Sequence, residues 1–399
     1  MKLIYKTKWL GNRMQWIGLL VLAMLSCSKS DLRTPIDEAG PKPGTVKVEQ
    51  VENLPGAAKI SFSLPHSANI LYVEADYMIR AGEHQQAVSS SYGNFLIVEG
   101  FSEAKEYRVS LTVVGRGGER SDPVDVMVHP STPPVRESFE SLSYVEDFGG
   151  ISVNFLNETK AALSVSVLTK DTYGDWVDYD RYYTSRPDVA YPVRGLAAEL
   201  TTFGVYVTDR WGNNSDTLVQ KLTPLFEQQL DKSKFQVLSL PDDVKNSWPT
   251  AGVWDDVDLV NGKGFSNQDA PFPKGFNFDI GAKSKISRLR LWGVHDNREF
   301  SGGNVKQFEL WGSNDPGEGD DGWELLGTFE VVKPSGPGAQ ITAEDRAAAA
   351  NGMDFSIPVS APAVRYVRFR IISTFASPPN SSLGASWVTE LTLWGQYID

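Results

Sequence analysis

The sequence predicts an all-β chain of two similar sandwiches followed by a third, different β module. Three observations carry this. From Thr45 onward apolar and polar residues alternate with period two, and turn residues recur roughly every 8–12 positions. Long amphipathic helical periodicity is absent. The chain also repeats itself: slid by 94 positions, Arg116, Gly118, Ser121, Asp122 and Pro130 fall on Arg210, Gly212, Ser215, Asp216 and Pro224.

The N-terminus reads as an export leader. Lys2, Lys6, Lys8 and Arg13 precede an apolar run from Trp16 to Leu25, with no acidic residue before Asp31. Those ten residues are half the roughly 20 that a spanning helix needs, so residues 1–26 read as a signal peptide. The one cysteine, Cys27, follows Met24-Leu25-Ser26. A cysteine at that place resembles the bacterial lipobox, which implies lipidation of Cys27 and a membrane anchor; the competing reading is a free thiol beside an ordinary cleavage site. A single cysteine excludes a disulfide framework and a cysteine-based zinc site. Cleavage after Ser26 leaves 34 basic against 50 acidic residues, a net charge of −16, which argues against a nucleic-acid partner. Residues 27–44 contain Pro35, Gly40, Pro41, Pro43 and Gly44 and read as a tether stiffened by proline.

Residues 45–133 and 134–230 are the two copies of the repeat. Val46–Val48, Lys59–Ser63 and Tyr107–Val113 alternate as half-buried strands do, and Ile60-Ser61-Phe62 matches Val153-Asn154-Phe155. The linker Pro130-Ser131-Thr132-Pro133-Pro134 separates the copies. Tyr72–Tyr77, Ser90–Tyr92 and Val98–Phe101 in the first copy, and Val207–Asn213 and Leu222–Glu227 in the second, resemble fibronectin type III-like domains. They are similar to the paired N-terminal domains of Bacteroidetes lipoproteins from polysaccharide-utilisation loci. Asp209, Trp211 and Asn213 read as turn and packing residues.

Residues 231–399 differ in texture and hold seven of the eleven tryptophans. Leu291-Trp292-Gly293, Leu310-Trp311-Gly312 and Leu393-Trp394-Gly395 end three strands alike, and Thr342 and Asp345 have capping-box spacing for a short helix over Glu344–Ala350. Phe278–Gly281, Ile286–Trp292, Phe308–Asp315, Trp323–Gly327, Arg365–Phe369 and Glu390–Gly395, in that order, resemble a discoidin-type (coagulation-factor C-type, galactose-binding-like) jelly roll. This family also serves as carbohydrate-binding modules. An acidic insertion, Pro316–Gly322, and a Pro/Ala-rich stretch before Met353 depart from its pattern.

The resemblance implies a structural Ca²⁺ held by Asp255, Asp256, Asp258 and Glu390, a set of hard oxygens at close spacing; a solvated acidic turn is the alternative. Sugar binding calls for exposed flat rings with a few polar groups. Trp248, Trp254 and Trp387 fall in predicted loops, and the segment His295–Phe300 supplies His295, Asn297 and Arg298, with Asn304 close behind. These seven residues are the candidate saccharide contacts, and Trp292, Trp311, Trp323 and Trp394 read as packing residues. Arg288, Arg290, Arg365, Arg368 and Arg370 form the one basic cluster, read as a solvated sheet face balancing nearby carboxylates; a site for an anionic polysaccharide is the sharper alternative.

Enzyme signatures are thin. The zinc-protease and α/β-hydrolase motifs are missing, and Gly317-x-Gly319-x-x-Gly322 carries three acidic residues where a dinucleotide site wants a pyrophosphate. No catalytic residue is assigned, and a divergent glycosidase is the residual enzymatic reading. The expectation is a lipid-anchored, non-catalytic glycan-binding protein at the outer membrane surface. It would capture poly- or oligosaccharide for a neighbouring transporter or hydrolase; the alternative is a structural or protein-interaction subunit of an outer-membrane glycan-uptake complex.

Overall fold

The computed structural model describes residues 40–398 apart from Ala68, Asn261 and Ala339. The leader 1–26, Cys27 and the tether up to Ala39 lie outside the described residues. The chain divides into two compact units, one ending at Pro133 and one beginning at Pro134.

The first unit is a three-on-four sandwich. Strands β1 (Lys47–Leu54), β2 (Ala57–Ser63) and β5 (Phe95–Glu99) form one sheet in the order β1-β2-β5. Strands β3 (Ile70–Arg80), β4 (Glu83–Ser90), β6 (Tyr107–Gly115) and β7 (Val124–Val128) form the other, in the order β4-β3-β6-β7. Alternation decides what is buried: Ala58, Ile60 and Phe62 face the core while Lys59 and Ser61 do not.

The second copy repeats this topology. Its sheets are β8 (Ser143–Asp147), β9 (Gly150–Leu156) and β12 (Asp188–Val193), ordered β12-β9-β8, and β10 (Leu163–Lys170), β11 (Trp176–Thr184), β13 (Thr201–Asp209) and β14 (Leu218–Leu222), ordered β11-β10-β13-β14. The repeated residues do the same work twice. Ser121 Oγ accepts from Val113 N at 2.9 Å and donates to Asp122 O at 2.8 Å; Ser215 Oγ accepts from Val207 N at 2.9 Å and donates to Asp216 O at 2.7 Å. Gly118 (φ 89°) and Gly212 (φ 75°) take the left-handed backbone that closes each hairpin. Asp209 Oδ1 accepts from the amides of Trp211 and Asn213, as turn residues should.

The C-terminal jelly roll is built on a long sheet. It contains β15 (Gln228–Gln229), β16 (Gln236–Leu238), β18 (Lys274–Trp292), β19 (Val305–Ser313), β20 (Glu324–Glu330), β21 (Met353–Ser356), β22 (Val364–Thr374) and β24 (Glu390–Tyr397). The order is β15-β24-β18-β22-β19-β20, with β16 and β21 also pairing β18. Strands β17 (Phe265–Asn267) and β23 (Ser386–Val388) pair separately. Gln228 and Gln229 sit at the end of the second sandwich in the sequence reading, yet they pair with Gly395 and Trp394 of the jelly roll. The core stacks Phe276, Phe308 and Phe369 with ring centroids 4.7–5.3 Å apart. Each such fully buried side chain contributes about 1.5–3 kcal/mol. The short helix Ala343–Asn351 opens on the expected capping box, Thr342 with Asp345, and ends at Gly352.

Within the second unit, sandwich and jelly roll meet on a buried carboxylate. Glu227 accepts from Arg194 Nη1 (2.8 Å) and from Ser287 Oγ, and Arg288 Nε lies 3.4 Å away. Removing one member of such a buried set strands the others' charges, which costs about 3–5 kcal/mol.

Candidate functional site

The site is built around the segment 293–304, which joins β18 to β19. Asn304 is its clamp. Only 6% exposed, its side-chain oxygen accepts from Val294 N at 2.7 Å, and its amide nitrogen donates to Val294 O at 2.8 Å and Arg298 O at 2.7 Å. An amide satisfied on every side by its own loop has no group left for a ligand, so Asn304 moves from saccharide contact to scaffold. His295 is likewise engaged. Its Nε2 lies 3.1 Å from the Asp258 carbonyl, which can only accept, so that nitrogen carries the proton.

Trp387 lies against this loop. Its amide donates to Gly303 O at 2.8 Å, and its indole rests on Gly302 and Gly303, where an added Cβ would come within 3.0 Å of ring atoms. The consecutive glycines are thus a flat shelf for a ring, a role legible in hindsight from Ser301-Gly302-Gly303-Asn304. Arg298 stands 5.5 Å from the indole centroid and forms a bidentate pair with Asp296, at 2.7 and 2.6 Å. That guanidinium holds the Asp296 carboxyl below its ordinary range. Asn297 (φ 70°) and Phe300 (φ 47°) adopt the left-handed region, a strain that side chains other than glycine carry only where surrounding contacts impose it. The rim therefore presents a half-buried indole beside Arg298, Asp296 and Asn297. Beneath it a cavity of about 40 Å³, lined by Trp292, Phe300 and Trp387 among others, has room for one or two waters and not for a sugar ring.

The remaining tryptophans sort differently from the expectation. Trp254 is 7% exposed and packs in the core, its ring 5.2 Å from Phe278 and 6.0 Å from Phe235. It is not a saccharide contact: the 3₁₀ turn Thr250–Trp254 aims it inward, and burying an indole outweighs displaying one. Trp248 is half-buried in a neighbouring loop, which Asn246 fastens to β17, the strand paired with Trp387. Four further tryptophans, Trp323 buried as a packing residue and Trp292, Trp311 and Trp394 half-buried, carry arginines on their faces. Arg288 lies 3.7 Å over Trp394, Arg368 4.3 Å over Trp323, Arg370 5.0 Å over Trp311 and Arg290 5.9 Å over Trp292. Each cluster arginine also meets an acid: Asp354 pairs Arg288 and Arg290, Asp279 pairs Arg365, and Asp320 pairs Arg368 and Arg370. The basic cluster is a compensated sheet face, which removes the charge that an anionic polysaccharide site would need.

The four calcium candidates do not fit a calcium ion. Lys232 Nζ sits 2.7 Å from both Asp256 Oδ1 and Glu390 Oε1, so an ammonium takes the place of a cation. Asp255 accepts from Val257 N (3.1 Å) and faces Lys263 at 3.4 Å, and Asp258 Oδ2 faces His295 at 3.5 Å. Among the described residues no group of three or more His, Cys, Asp or Glu side chains is placed to hold a metal ion. Burial pushes Glu390 up to about 7 despite its lysine partner.

Fold and rim together define a protein of two fibronectin III-like sandwiches followed along the chain by a jelly roll with an aromatic rim. Three family models, each described as a domain of unknown function, match it in series: DUF4959 over residues 43–130, DUF5126 over 131–233 and DUF5000 over 254–395. Nothing among curated proteins matches significantly. Among solved structures, a SusE-like protein is 28% identical, with 67% of this chain and 100% of that one covered and a TM-score of 0.41. CBM32-3 from a family 31 glycoside hydrolase from Clostridium perfringens is 13% identical, with 42% and 95% covered and a TM-score of 0.30. A two-domain fibronectin type III segment of chicken tenascin is 14% identical, with 46% and 99% covered and a TM-score of 0.21.

Proposed function

We propose that this chain is a non-catalytic glycan-binding protein, held on the outer membrane through lipid on Cys27, that captures poly- or oligosaccharide on the rim of its jelly roll. The observation that carries the reading is the half-buried Trp387 indole packed against Gly302–Gly303 with Arg298 beside it. A flat ring takes the C–H face of a sugar while adjacent polar groups take its hydroxyls. The leader and Cys27, the tether, and the discoidin-type resemblance support the same assignment, with the sandwiches as a spacer. Captured glycan would pass to a transporter or hydrolase neighbour.

Affinity electrophoresis of the full-length protein against a polysaccharide panel tests this. Retardation by at least one polysaccharide, abolished by Trp387→Ala with the melting midpoint unchanged, is the expected result. The same retardation in the variant sinks the rim as the binding surface, and sugar release would reinstate the hydrolase. The second reading, a protein-interaction subunit, draws on the edge strand β11, where Trp176, Val177, Tyr179 and Tyr183 are exposed. Co-purification of a membrane partner without any retardation would favour it.

A further inference from the structure

A second cavity shares no lining residue with the rim cavity and is several times larger. It is a cleft of about 220 Å³ where β18 and β22 pair, in the register Gly275 to Arg370, Phe276 to Phe369 and Asn277 to Arg368. Phe276 and Phe369 belong to the core, so strand alternation turns Gly275, Asn277, Arg368 and Arg370 to the outer face. Asp242, Asp243 and Val244 make one wall, and the acidic insertion contributes Gly319 and Asp320 as the other. The two walls are tied together: Gly319 N donates to Asp242 Oδ2 at 2.9 Å.

The polar groups are built in. Arg368, only 7% exposed, donates from Nε to Asn277 Oδ1 at 2.8 Å and from Nη1 to the Gly319 carbonyl, and it stacks on Trp323. Asp243 accepts from Leu240 N at 2.8 Å and from the Asn277 amide. Arg370 donates to Asp320 Oδ1 at 2.7 Å. Asp242 Oδ1 and Asp320 Oδ2 have no hydrogen-bond partner in the protein among the described residues. Three carboxylates (Asp242, Asp243, Asp320) stand beside two guanidiniums (Arg368, Arg370), while the Lys274 ammonium turns away to Asn267 Oδ1 and the Ala270 carbonyl, so the cleft leans acidic by one charge.

We propose that this cleft is a second saccharide subsite, taking one neutral hexose unit. A volume of about 220 Å³ is that of about seven waters at roughly 30 Å³ each, the size class of a single sugar ring. Carboxylate acceptors beside guanidinium donors suit a vicinal hydroxyl pair, which both donates and accepts. One carboxylate in excess of the guanidiniums offers a polyanion no electrostatic gain. The acidic insertion that departs from the discoidin pattern thereby acquires a use: it neutralises the arginines and walls the cleft. The inference rests on the glycan-capture reading for the class of ligand, while its residues are independent of the rim.

Saturation-transfer-difference NMR and titration calorimetry on the full-length protein, with glucose, galactose, mannose and N-acetylglucosamine and with galacturonate as the charged control, test it. A neutral hexose gives transfer, and its affinity for the cleft falls about tenfold or more in Asp242→Ala and in Asp320→Ala, in the parent and equally in a Trp387→Ala background where the rim is disabled. Both aspartates are exposed, and an unchanged melting midpoint in each variant shows that the fold survives. Asp242→Asn, which keeps the shape and the acceptor for Gly319, separates loss of charge from loss of the wall. The proposal is overturned if no hexose binds, if galacturonate is preferred, or if both alanine variants bind as the parent does. Binding lost only in Trp387→Ala would overturn the cleft and leave the rim standing. Polysaccharide retardation that ignores Trp387→Ala but follows Asp242→Ala would do the reverse.

Discussion

Asn304→Ala separates a loop clamp from a ligand contact. The wild-type side chain satisfies the N–H and the C=O of Val294, a residue 1% exposed, and also the Arg298 carbonyl. Alanine leaves two buried main-chain groups unpartnered, at about 1–3 kcal/mol each, whereas the Arg298 carbonyl can turn to water. The sum is about 2–6 kcal/mol, of which about 3 kcal/mol is the conservative expectation. For a domain of this size about 2–4 °C is lost per kcal/mol, so the jelly roll's midpoint falls by about 6–12 °C. Asn304→Asp is expected to be no better at neutral pH, because a carboxylate accepts from Val294 N but meets two carbonyls with nothing to donate. Scanning calorimetry reads the stability, and amide exchange at Val294 reads the local opening, which should quicken in both variants. A midpoint within about 2 °C of the parent, with Val294 still protected, would refute the clamp; glycan binding lost under those conditions would return Asn304 to the ligand residues.

Three further outcomes follow from the same geometry. Trp254→Ala opens a core cavity beside Phe278 and should cost about 3–5 kcal/mol; circular dichroism should show partial unfolding there, where Trp387→Ala shows none. A chelator should leave the melting midpoint of the parent unmoved, since Lys232 already meets Asp256 and Glu390, whereas Lys232→Met should destabilise by about 3–5 kcal/mol; a calcium-dependent midpoint in the parent would contradict the fit described here. Burial alone would raise the Asp345 pKa, but hydrogen bonds from Thr342 and Ser335 outweigh it and hold the group below the ordinary 3.8. Its contribution is therefore complete above about pH 3.8 and lost as the pH falls below that, and far-UV dichroism should show the helix Ala343–Asn351 fraying in acid, an effect that Asp345→Asn removes.

Much of the architecture was legible because the signals are local. Period-two alternation names the buried face of a strand without reference to any partner, and Ile60, Phe62 and Val109 all lie on that face. The serines at 121 and 215 recur because the same hairpin needs the same acceptor, and Thr342 with Asp345 closes its capping box within four residues. The candidate site was legible only in part. Arg298 and Trp387 lie beside one another, with Asn297 exposed next to Arg298 in the chain, whereas Trp254, His295 and Asn304 are engaged within the fold.

The sequence by itself determined the β class, the doubled sandwich, the turns and the outward arginines, since each depends on residues within a few positions of one another. Only the tertiary structure decided that Trp254 is buried while Trp387 is half-exposed, that Lys232 meets Glu390, and that an acidic loop about fifty residues before Arg368 closes a cleft over it. Burial and charge pairing are set by neighbours distant along the chain, and no local pattern encodes which of many carboxylates a given cation will meet.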